Sequence, residues 1–172
     1  MLYGQPTWLN YVLTAIRLRV VSQAKFPTEA VFSTLASDED HTNGPARDRF
    51  VLIRPGQQWS ANQVQVAGGG ATTSQMTGSI GVNFLVRYNL DQELRSSRLL
   101  EEVNASVLGQ FRDILKALHL FSPTNATDPT ISILTQPMRI QSFDMLPRPM
   151  KQGSPWVTLS SRWEVEFRAD LT

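Results

Sequence analysis

The sequence predicts an α+β domain in which a mainly antiparallel β-sheet packs against two helices and carries long polar loops or arms. Three observations predict it. First, the end of the chain alternates. Val157, Leu159, Trp163, Val165 and Phe167 fall on one side, and Thr158, Ser160, Arg162, Glu164, Glu166 and Arg168 on the other. That is the period of two of a strand with one buried and one wet face. Second, two segments repeat apolar residues at the three-and-four spacing of amphipathic helices. Third, strands outnumber helices and the helices are segregated, which favours antiparallel pairing over a βαβ succession. At 172 residues the chain suits one domain, residues 1–172, with enough length to bury a core.

Taken in order, residues 7–24 form the first helix, with Leu9, Val12, Leu13, Ile16 and Val20 on one face and Thr7 as its N-cap. Phe26-Pro27 stops it, because a residue before proline avoids the helical region. Residues 30–35 are a short strand. Residues 37–48 are a polar loop turning at Asn43-Gly44-Pro45. Residues 49–54 are a strand of Phe50, Val51, Leu52 and Ile53, ended by Pro55-Gly56. Residues 56–78 are rich in Gln, Gly, Thr and Ser, and read as a flexible arm or loop within which Val64 and Val66 allow a short hairpin. Residues 80–88 alternate again, through Ile80, Val82, Phe84 and Val86.

Asp91 can cap the next helix, residues 94–120, whose stripe is Leu100, Val103, Val107, Phe111, Ile114 and Leu118. A polar linker at 121–130 precedes strands at 131–134 and 138–143. The proline-rich connection through Pro147, Pro149 and Pro155 should not pair in a ladder. The chain closes on the strand at 156–171.

Composition narrows function. Formal net charge is +1, so no electrostatic case exists for general nucleic-acid or membrane binding. There is no cysteine, which removes thiolate catalysis and thiolate metal sites. No signal peptide and no apolar run of membrane-spanning length is legible. His41 sits beside Asp38, Glu39 and Asp40 but lacks a third ligand at metal spacing, so a solvated turn is expected. His119 falls in the last turn of the long helix, where a cation favours the helix dipole. Gly68-Gly69-Gly70 lacks the lysine and flanking elements of a phosphate loop. Glu164 and Glu166 share a strand face with Arg162 and Arg168, and cross-strand ion pairing is their expected role. No nucleophile, base or metal set stands out, so the chain is expected not to be an enzyme and to need no cofactor. Trp59, in the polar arm, has no obvious core and reads as an interface anchor.

The helix TWLNYVLTAIRLRV is followed by short strands and by FVLIRPGQQW. GSIGVNFLVRYNLDQE then leads into LLEEVNASVLGQFRDILKAL, and the chain ends on WVTLSSRWEVEFRADL. In this layout the chain resembles the tail terminator (tail completion) proteins of long-tailed bacteriophages. The resemblance implies a virion structural protein assembled in the bacterial host cytoplasm. It implies a homo-oligomeric ring of six at the head-proximal end of the tail, ending tube polymerisation. Its partners would be the tail tube protein on one side and a neck or connector protein on the other. Genomic DNA would pass through without sequence-specific binding, and no membrane would be involved. Arg47, Arg49, Arg54, Gln57, Gln58, Trp59, Gln63 and Gln65 are the candidate subunit or tube interface. A head-closure or connector protein, and a small-molecule-binding or enzymatic α+β domain, are the competing expectations.

Overall fold

The computed structural model describes residues 5–34, 47–65, 72–87, 97–124, 128, 130, 132–151 and 155–169. Its elements are α1 (Gln5–Gln23), a 3-10 turn (Thr28–Ala30), β1 (Val31–Ser33), β2 (Arg49–Pro55), β3 (Ser60–Gln65) and β4 (Thr72–Arg87). They continue with α2 (Ser97–Leu118), β5 (Leu134–Phe143), β6 (Arg148–Pro149) and β7 (Trp156–Ala169). The seven strands form one sheet in the order β1-β2-β4-β7-β5, with β3 on β4 and β6 on β7. Every pairing is antiparallel except β1 with β2. The α+β class with two helices on a mainly antiparallel sheet is therefore observed.

The long pair β4–β7 is the spine. It runs in unbroken register from Ser74 opposite Ala169 to Arg87 opposite Trp156. One face buries Ile80, Val82 and Phe84 of β4 beside Leu159, Trp163, Val165 and Phe167 of β7. Val12, Ile16 and Val20 of α1 and Val107, Phe111, Ile114 and Leu118 of α2 complete this core. Each large apolar side chain so buried contributes about 1.5–3 kcal/mol of transfer free energy. Ser161 lies on the same face, fully enclosed. Its hydroxyl donates to the Val82 carbonyl at 3.0 Å and accepts the Trp163 indole N–H at 2.9 Å. Arg19 joins the helices, with Nε donating to the Ala117 carbonyl at 3.0 Å and its guanidinium 5.1 Å from the Phe121 ring centroid.

Several expectations are corrected. Helix α1 starts at Gln5, so Thr7 lies inside it and is not its cap. Helix α2 stops at Leu118, where Leu120 takes a left-handed φ of 55°. His119 sits one residue past the helix, its N–H still reaching the Leu115 carbonyl. The two strands expected at 131–134 and 138–143 are one edge strand, β5. Pro137 is absorbed at the register shift between Gln136 and Arg139, where a missing N–H costs no ladder bond. The proline-rich connection does pair: Arg148 and Pro149 lie opposite Thr158 and Val157. Pro149 has no N–H to give, and the Met150 N–H bonds the Trp156 carbonyl at 3.1 Å instead. The wet face of β7 is also not wet throughout. Trp156 joins Phe50, Leu52 and Leu85 in a small second cluster, with the Phe50 and Trp156 rings stacked at 5.5 Å. The Asp91 cap, the loop around His41 and the glycine run Gly68–Gly70 lie outside the described residues.

Candidate functional site

Residues 56–78 are mostly strand. β3 and the first half of β4 form a hairpin, with Ser60 opposite Thr77 and Gln65 opposite Thr72. β2 and β3 lie in succession along the same edge of β4, since Pro55 faces Ile80 and Ser60 faces Thr77. Between them the chain steps out over Gly56–Trp59. The Gly56 N–H donates to the Ser79 carbonyl at 2.6 Å. A Cβ at Gly56 would fall 2.5 Å from the Ser79 Oγ, so the close approach needs glycine there.

Trp59 is not an exposed anchor. Its ring is half-buried, meets Phe167 edge-on at 6.0 Å and packs against the main core. Its indole N–H donates to the Gly56 carbonyl at 2.9 Å. It lies over Gly78, where a Cβ would come within 2.1 Å of the ring. The residue thus pins the arm to its own sheet. Gln57 and Gln58, beside it, are exposed. Gln63 and Gln65 belong to β3, and their side chains lie outside the described residues.

The three candidate arginines take separate places. Arg49 and Arg54 are at opposite ends of β2 and, five positions apart, point to opposite faces. Arg49 reaches Gln110 Oε1 and Ser106 Oγ, tying the start of β2 to α2. Arg47 bonds Glu29 at 2.8 Å. The Glu29 carboxyl titrates below its ordinary value, first through a hydrogen bond to its own backbone and then through Arg47. Arg54 is half-buried on the helix-free face of the sheet.

That face carries a shallow groove of about 390 Å³, lined among others by Arg54, Gly81, Asn83, Asp144, Arg148 and Arg162. Arg148 and Asp144 are paired at 2.9 Å, and Asp144 Oδ2 also accepts the Ser160 N–H at 2.9 Å. Phe143, the last residue of β5, is exposed and lines the groove, and Met145 and Leu146 stand exposed in the turn that follows. Arg54, Arg148 and Arg162 bring three guanidinium groups to its lining, among the serines Ser79, Ser142 and Ser160. Glu164 and Glu166 are met by neutral donors of β5: Gln141 Nε2 for Glu164 at 3.2 Å, and Thr135 and Gln136 for Glu166. Among the described residues the expected cross-strand ion pairing gives way to these bonds. Among the described residues no group of three or more His, Asp or Glu could hold a metal, and no helix is long and apolar enough to cross a membrane.

No family model matches this chain, and no curated protein matches it either.

Two features escaped the reading of the sequence. The exposed apolar pair Met145 and Leu146 sits in a segment whose prolines suggested a bare connector. The arm's order was hidden because its strands carry few apolar residues. A usable signal was present: from Pro55 to Val86 there is no Asp, Glu, Lys, Arg or His. A stretch of that length without charge is a poor solvated loop and a good sheet.

Proposed function

We propose that this chain is a structural subunit of a bacteriophage tail, a tail terminator that forms a ring of six at the head-proximal end. There it ends tube polymerisation and joins the tail to the neck. One observation carries the reading: the sheet is prolonged by an uncharged hairpin, β3–β4, whose outer edge pairs with no described strand. Ring subunits need head-to-tail contacts that close on themselves, and an ordered arm supplies reach with little loss of entropy on docking. The near-neutral net charge also suits a channel through which DNA must slide, because phosphate contacts would otherwise hold it. The organisation into one helix, a sheet, a second helix and a closing hairpin agrees with the layout on which the resemblance rests.

The test is to mix the purified chain with tail tube protein and count tube lengths and end structures by negative stain. A terminator shortens tubes and leaves a ring-shaped cap at one end. Tubes that elongate unchanged, with the chain found free, would overturn the proposal. Deleting residues 61–75 would be a poor variant, because β4 from Ser74 onward also pairs with β7. Paired substitutions of exposed Gln57 and Gln58 by Glu leave the sheet intact and should weaken capping.

A further inference from the structure

The three other sheet edges are each protected. β1 spans three residues and β6 two. β5 carries Pro137 and three register shifts, and its outer side is partly covered. There the Met138 N–H donates to the Phe121 carbonyl and the Ile133 N–H to the Pro123 carbonyl, both at 2.9 Å. Bulges, prolines, short strands and covers are the usual ways in which proteins blunt an edge. Among the described residues β3 has none of them. Its six residues pair with β4 in continuous register, and no described strand lies on its other side.

The hydrogen-bond phase of that edge follows from the structure. The Ser79 carbonyl faces the β2–β3 side, since it accepts from Gly56. Backbone direction alternates along a strand, so Thr77, Gln75 and Thr73 also face β3 and bond Ser60, Asn62 and Val64. The N–H and C=O groups of Ala61, Gln63 and Gln65 therefore point away from the sheet.

We propose that two copies of this chain pair through β3, antiparallel about a two-fold axis, with Gln63 opposite Gln63 and Ala61 opposite Gln65 of the second copy. The argument for a second copy is complementarity. Identical edges that are uncharged approach each other without repulsion, and β3 lies within the charge-free run from Pro55 to Val86. The other edges of the sheet are too short or too covered to serve, which leaves β3 as its own partner. Main-chain bonds then supply affinity, as in other strand additions. This inference does not rest on the tail reading. Under that reading a two-fold contact cannot close a ring of six, so the pair belongs to free subunits and is given up on assembly.

The experiment uses the full chain, whose lack of cysteine gives a clean background. Facing residues of a hydrogen-bonded pair are about 5.5 Å apart at Cα, within disulfide span. Gln63→Cys should therefore oxidise to a covalent dimer much faster than Ser60→Cys, whose two copies would lie about 20 Å apart. Ala61→Pro removes two outward N–H bonds per dimer without touching the β4 ladder, and should weaken dimerisation about thirty-fold in sedimentation. Gln63→Lys and Gln63→Glu should each be monomeric and folded, and should dimerise when mixed, which a folding defect would not reproduce. Equal oxidation of Gln63→Cys and Ser60→Cys, or an Ala61→Pro variant that is folded and dimerises as before, would overturn the proposal. A dimer without tube capping, or capping without a dimer, separates this inference from the tail reading.

Discussion

Gly78→Ala tests the arrangement that holds the arm. The new methyl would stand 2.1–2.5 Å from three ring atoms of Trp59, so the indole must leave. Truncating a fully buried tryptophan costs about 3–5 kcal/mol, and Trp59 is half-buried, so displacing it loses about 2 kcal/mol. Loss of the indole bond to the Gly56 carbonyl adds about 1 kcal/mol. Alanine is better than glycine in a strand by about 0.5–1 kcal/mol, which leaves a net destabilisation of about 2 kcal/mol. For a chain of this size that lowers Tm by about 4–8 °C. The decisive assay is a double-mutant cycle with Trp59→Ala, followed by urea and thermal unfolding. With the ring removed, Gly78→Ala should be neutral or stabilise by about 0.5 kcal/mol, giving a coupling of about 2 kcal/mol or more. An equal cost in both backgrounds would refute the reasoning, because the penalty would then belong to Gly78 and not to its contact with Trp59.

Three further outcomes are expected. Ser161→Ala leaves the enclosed Trp163 N–H without its acceptor and should cost about 1–3 kcal/mol, read as a lower urea midpoint at unchanged slope. Arg19→Ala removes the link from α1 to the end of α2 and should cost about 1–2 kcal/mol, with faster amide exchange confined to residues 117–121. Glu29, whose carboxyl is held below its ordinary value, favours the fold above its unfolded-state pKa, and that contribution disappears as pH falls through its lowered folded-state value. Arg47→Ala should raise the Glu29 midpoint in an NMR titration only part of the way, since the hydrogen bond to its own backbone, the largest single cause, remains. A full return to the ordinary value would contradict that ranking.

Amphipathic order was legible wherever one side of an element is dry. The stripe Val107, Phe111, Ile114 and Leu118 and the alternation from Val157 to Phe167 both ended in the core as their spacing required. The hairpin was only partly legible, because Thr72 to Ser79 has Met76 as its one large apolar residue and takes its strand form from β7 on one side and β3 on the other. Trp59 could not be assigned from its neighbours in sequence. Its place depends on Gly78, nineteen positions along the chain, leaving room for a ring. The separation of Arg49 from Arg54 follows from the strand itself, because residues an odd number apart on a pleated strand part to different faces.

The sequence by itself determined the class, the two helices, the closing strand and the absence of thiol chemistry, since these follow from periodicity and composition alone. Tertiary structure decided which edges are blunted and which is bare, where Trp59 rests, and that Arg54 shares a groove with Arg148 and Arg162. Those facts depend on register between segments far apart in the chain, and no local pattern of residues carries that information.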